Sequence, residues 1–147
     1  MRRFVALAAT ALLAVSVAPA AAAGGKHGSF TATALPFPNY SSHTGTAEPG
    51  CLAGVDGVHN VSEPFKAPGK GVLKATMSGF TGDWDLYLTD DSGAPLLGSA
   101  QDQTAGAAAE ESVELALKPK QAVNITPCNW AGAPEAEVHW EFVSKKA

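Results

Sequence analysis

Four carboxylates gather around one short segment of this 147-residue chain: Asp83, Asp85, Asp90 and Asp91. Calcium takes six to eight hard oxygen ligands, so carboxylates converging from a strand and its turn are suitable donors. Asp83 and Asp85 fall on the same side of an extended strand. Asp90 and Asp91 sit at its far end, and five residues of extended chain span ~17 Å. Asp83 and Asp85 are therefore the candidate calcium ligands, completed by oxygens from elsewhere. The competing expectation is structural: Asp83 caps the strand entry, Asp85 faces solvent, and Asp90 and Asp91 build a hairpin. No other cofactor is expected.

Two further sets carry the residue types of catalysis or metal binding. The run Asp91-Ser92-Gly93-Ala94-Pro95-Leu96 looks like the nucleophile segment of trypsin-like proteases. A serine nucleophile needs a histidine base and a buried carboxylate. The chain is too short for that double barrel, and Ser92 falls where a turn is required, so no catalytic residue is assigned. His43, His59 and His139 have zinc-compatible chemistry but irregular spacing and no short-range pair, and are expected to be exposed single histidines. Trp130, Tyr87 and Tyr40 are the candidate binding residues. Aromatics with a polar handle suit recognition of carbohydrate or protein. For Trp130, in a loop expected over Cys128-Asn129-Trp130-Ala131-Gly132-Ala133-Pro134, the alternative is packing over a disulfide.

That disulfide is Cys51–Cys128, between the only two cysteines. The chain starts Met1-Arg2-Arg3, continues as an apolar run over 4–17, and reaches the small-residue stretch Ala18-Pro19-Ala20-Ala21-Ala22-Ala23. This is the pattern of a secretory signal peptide, cleaved near Ala23 and too short to span a membrane. Export places both cysteines in an oxidising compartment, where an even count favours a bridge. Closing so long a loop contributes about 4 kcal/mol on the chain-entropy model.

Removing the signal takes both arginines with it. Eight lysines and fourteen acidic residues remain, so the net charge moves from −4 to −6. An arginine-free acidic chain lacks the basic footprint of a nucleic-acid binder, and no membrane insertion is expected.

The elements that must position these residues are strands. Residues 24–29 read as a flexible N-terminus and 30–37 as a first strand ended by prolines. Residues 39–57 read as a long loop pinned by Cys51, and 58–66 as a short strand interrupted by Pro64. Period-two alternation then recurs. Leu73, Ala75 and Met77 share one face, as do Trp84, Leu86 and Leu88, with Asp85 and Tyr87 on the opposite side. Asp90-Asp91-Ser92-Gly93 is a turn, and 95–99 returns as a strand. Residues 105–111 read as loop. Val113, Leu115 and Leu117, then Val123 and Ile125, then Val138, Trp140 and Phe142 complete the inward set, with Lys118-Pro119-Lys120 as a turn. Such segments at about ten-residue spacing predict an all-β, antiparallel β-sandwich over residues 30–147, a single domain with a long N-terminal loop.

The stretch Gly71-Val72-Leu73-Lys74-Ala75, followed by Gly82-Asp83-Trp84-Asp85-Leu86-Tyr87-Leu88-Thr89-Asp90 and Gly93, resembles the bacterial pre-peptidase C-terminal domain family. The likeness covers about residues 65–142. It implies a jelly-roll-like sandwich that is not itself catalytic. Such domains usually follow secreted peptidases, where they aid secretion, localise the enzyme or bind polymeric substrate, and some relatives bind calcium. The expectation is a free-standing secreted, extracellular module binding a polymer or a protein partner. A calcium-stabilised structural domain and a peptidase accessory or inhibitor are the alternatives, the latter resting on the 39–57 loop.

Overall fold

The structure, a computed structural model, describes residues 25–37, 50–99 and 110–145. The expected signal peptide, Tyr40, His43 and most of the 39–57 loop lie outside the described residues. The described strands are β1 (Lys26–Thr33), β2 (Glu63–Lys66), β3 (Gly71–Ser78), β4 (Gly82–Thr89), β5 (Pro95–Ser99), β6 (Glu110–Leu117), β7 (Ala122–Gly132) and β8 (Glu135–Ser144), with one 3₁₀ turn at Gly50–Ala53.

They form two four-stranded antiparallel sheets. Sheet A runs β1-β8-β3-β6 and sheet B runs β2-β7-β4-β5. Apart from the β4–β5 hairpin, each described strand is followed by one in the other sheet, which is the jelly-roll winding. The expected β-sandwich is the fold observed. Alternation explains how the sheets close on each other. Leu73, Ala75 and Met77 of β3 and Val138 and Phe142 of β8 point inward from sheet A. Trp84, Leu86 and Leu88 of β4 and Val123 and Ile125 of β7 meet them from sheet B, and all ten are buried. Each of the Val, Leu, Ile, Met and Phe side chains among them contributes roughly 1.5–3 kcal/mol on burial. Trp140 packs at the margin of this core with its ring edge-on to Phe65. Pro64 sits in β2, an edge strand, where a missing N–H is tolerated.

Three boundaries differ from expectation. The first strand starts at Lys26, so the stretch expected to be flexible is ordered from there on. Its backbone pairs with β8 from Lys26↔Phe142 to Thr33↔Glu135. Gly28 is the residue that allows it, because a Cβ there would run into the Trp140 ring. Residues 128–132, expected as loop, continue β7 along β4 to Gly82↔Gly132. Pro127 lies within this strand, and its carbonyl accepts from Val61 N–H at 3.1 Å. Glu110 and Glu111, expected at the end of a loop, open β6. Glu111 lies on the buried side and accepts from the Ser99 hydroxyl.

Candidate functional site

The outer face of sheet B is not open to solvent along its length. Residues 34–37 and 58–61 run beside the second half of β7. Phe37 N–H donates to Asn129 O at 3.0 Å, Asn129 N–H to His59 O at 2.9 Å, and Leu35 N–H to Val58 O at 2.6 Å. The buried Asn129 amide ties this cover down. Its Nδ2 donates to Ala34 O at 2.9 Å and Ala133 O at 3.1 Å, and its Oδ1 accepts from Gly132 N–H at 2.7 Å. The 3₁₀ turn then brings Cys51 onto the sheet, where it is disulfide-bonded to Cys128 with the Cα atoms 5.8 Å apart.

A second, small core forms there. Cys51, Cys128 and Trp130 are buried together, with Phe37, Leu52 and Tyr87 packed against them. Phe37 meets Trp130 and His59 edge-to-face, with ring centroids 5.8 and 5.5 Å apart. Trp130 reaches this position through a β-bulge. Asp83 pairs with Ala131 and Trp84 with Asn129, so Trp130 is the additional residue.

Asp85 lies directly opposite Cys128 in the ladder and is 1% exposed. Its Oδ2 accepts from the Tyr87 hydroxyl at 2.9 Å and from the Trp130 indole N–H. Low local polarity strengthens such bonds and makes their loss expensive. Burial, and then the adjacent Asp85 carboxylate, hold the Tyr87 phenol protonated and push its ionisation well above the ordinary tyrosine range. The Tyr87 ring lies over Gly98 of β5, where a Cβ would collide with it.

Of the seven disulfide, calcium and binding candidates, five thus converge: Cys51, Cys128, Asp85, Tyr87 and Trp130. Three are corrected in character. Asp85 is on the outward side of β4 as expected, but it is buried rather than solvent-facing. Trp130 is 8% exposed and its ring packs with the disulfide, the alternative expected for it, but from a strand and not from a loop. Tyr87 is half-buried, with its hydroxyl engaged by Asp85. Asp83 is half-buried two residues from Asp85 on the same strand. Cys51, Cys128 and Asp85 bring potential metal-ligating atoms within 4.8 Å of one another. The two sulfurs are joined in a disulfide, however, and thiolates are what bind metal.

Beside this core, the same face of sheet B opens into a groove of about 380 Å³. Thr89 and Thr126 line it from the sheet, Asp56 and Ser62 from the covering loop, and Asp91 and Ser92 from the β4–β5 turn. The two threonine hydroxyls lie 3.2 Å apart. Asp90 organises the turn: its Oδ1 accepts from Ser92 N–H, Ser92 Oγ–H and Ala94 N–H at 2.8, 2.6 and 3.0 Å. The hydrogen bond from the Ser92 hydroxyl, followed by that from Ala94 N–H, holds the Asp90 carboxyl below the usual range. Gly93, at φ 83°, supplies the left-handed residue of the turn. Ser92 is thus a turn residue, as its place in the sequence implied. Asn60 links the groove to the disulfide through Nδ2 donating to Cys51 O at 3.2 Å. Hydroxyls, amides and two carboxylates offer hydrogen bonds to a polar ligand and repel an anionic one. The sequence reading did not pick out this groove. Asp56 and Ser62 are separated from Thr89 and Thr126 in the chain, and no local pattern joins them.

Among the described residues no helix is long and apolar enough to cross a membrane. No family model matches the chain, and no curated protein matches it. Among solved structures, the chain aligns with that of the infectious bursal disease virus VP2 subviral particle at 13% identity and a TM-score of 0.38. The alignment covers 90% of this chain and 37% of that one.

Proposed function

We propose that this protein is a secreted, non-catalytic β-sandwich module that binds a neutral or cationic extracellular polymer in the groove on sheet B. The observation that carries the reading is the groove's construction. A wall of polar side chains is fastened to a rigid sheet by the Cys51–Cys128 bridge and Asn60, so its donors and acceptors are held in place before a ligand arrives. Preorganisation of this kind lowers the ordering cost of binding. The likeness of residues 71–93 to the pre-peptidase C-terminal domain supports the same role, since polymer binding is among the tasks of that family. A leader at 1–23 and a disulfide both suit an exported chain.

The test is retention of the protein, lacking residues 1–23, on insoluble collagen, chitin and cell-wall material, with and without Ca²⁺. Retention on one of them, reduced by the Asp56→Ala/Asp91→Ala pair, is the expected result. Retention on none overturns polymer binding. The calcium-stabilised alternative keeps Asp83 and Asp85 as donors. It requires a melting temperature that falls with chelator and recovers with Ca²⁺, and an unchanged value removes it.

A further inference from the structure

The outer face of sheet A holds a second group of side chains that the sequence leaves scattered. Strand β1 pairs with β8 in the register His27↔Glu141 and Ser29↔His139, and β8 pairs with β3 as Glu141↔Lys74 and His139↔Thr76. His27, His139 and Glu141 therefore share one face of two neighbouring strands, and all three are exposed. They line an open concavity of about 350 Å³. Residues directly opposite in an antiparallel pair have Cβ atoms about 5 Å apart, and diagonal neighbours are about 7–8 Å apart between backbones. His27 and Glu141 are opposite, His27 and His139 are diagonal, and His139 and Glu141 are two apart on one strand.

From this register the geometry points to a surface site for a divalent transition-metal ion, held by His27, His139 and Glu141. Two imidazoles and one carboxylate form a donor set that zinc accepts, with a position left for water. Zinc–nitrogen bonds of about 2.0–2.1 Å fall within reach of imidazoles placed on diagonal cross-strand positions. The donor atoms of these three residues do not all lie within 4.8 Å of one another in this structure. Exposed side chains change rotamer to close around the ion. Ser29 and Thr76, the cross-strand neighbours of His139, carry short side chains and line the same concavity. Lys74, opposite Glu141, is the opposing element: its ammonium competes for the carboxylate and repels a cation. The mixed nitrogen–oxygen set favours zinc, nickel or copper over calcium, which takes oxygen ligands. This site is separate from the groove and does not depend on its occupant.

The experiment is calorimetric titration of the untagged protein, lacking residues 1–23, with Zn²⁺, and in parallel with Ca²⁺. The expected result is one Zn²⁺ per chain, with affinity falling at least tenfold in His27→Ala and in His139→Ala and several-fold in Glu141→Gln. Lys74→Gln tightens binding several-fold. His59→Gln, in the segment covering the other sheet, leaves it unchanged. All of these side chains except His59 lie on an open face, so thermal melts of the variants should match the parent and rule out misfolding as the cause. Absence of Zn²⁺ binding overturns the site, as does binding that His27→Ala and His139→Ala leave intact.

Discussion

The two outer faces of this sandwich have opposite fates. On sheet A the outward residues meet water. Thr31 donates to Glu137 at 2.8 Å across β1 and β8, and Thr76 and Ser112 hydroxyls lie 3.4 Å apart across β3 and β6, all as exposed polar pairs. On sheet B the equivalent positions of β4 and β7 carry Asp85, Cys128 and Trp130, buried under residues 34–37 and 50–60, with Tyr87 half-buried beside them. Both sets alternate with core residues in the same way. An outward position is therefore only the side away from the main core. Whether it faces solvent or a second layer depends on what else the chain lays over it.

Variants can break that contrast. The largest effect is expected from Cys51→Ser/Cys128→Ser, which frees the covering loop. Loss of the loop closure costs about 4 kcal/mol. At roughly 2–4 °C per kcal/mol this lowers the melting temperature by about 8–16 °C. A melting curve that does not move would mean the second layer contributes nothing. Next is Asp85→Ala, which leaves the Tyr87 hydroxyl and the Trp130 indole N–H buried without their acceptor. Urea unfolding should register a loss of about 1–3 kcal/mol. Thr31→Ala on sheet A is the counterpart and should stay within about 0.5 kcal/mol. Equal losses at the two positions would erase the distinction between the faces.

A smaller effect is confined to alkaline pH. Tyr87 ionises later in the folded chain than the ordinary value of about 10. Its contribution is intact below that value and is lost as pH rises toward the folded group's higher one, because the unfolded state then releases a proton the folded state keeps. Tyr87→Phe should flatten this decline, measured as melting temperature against pH. The smallest effect is local to the turn. The Asp90 carboxyl is held below its ordinary range, so its hydrogen bonds are complete above that range and are lost as pH falls through the folded value. The amide signals of Ser92 and Ala94 should shift with that acid transition, and Asp90→Ala should abolish the shift without altering signals from sheet A.

The inward residues of β3, β4, β7 and β8 were legible because period-two alternation is a local signal and each strand carries its own copy. The β4–β5 turn was legible too, since Asp, Ser and Gly have intrinsic turn chemistry. The bridge followed from two cysteines and an export-like leader. Asp85 was misjudged because nothing in Asp83-Trp84-Asp85-Leu86 indicates a loop from residues 50–60 folding over it. Trp130 reads as a loop residue because the bulge at its position leaves no alternation to follow. The polar groove and the His27–His139 pair were invisible, since both join residues far apart in the chain.

Local side-chain patterning is enough to specify antiparallel strands, the side of each that faces the main core, the place of the hairpin turn, and the cysteines available to pair. These follow from side-chain preferences acting over a few residues. Long-range packing settles that one outer face is partly roofed and the other open, that Asp85 is a buried acceptor, and that the two ends of the described chain meet as β1 beside β8. Those outcomes depend on strand register and on which segment covers which face, and both are set by contacts between distant parts of the chain.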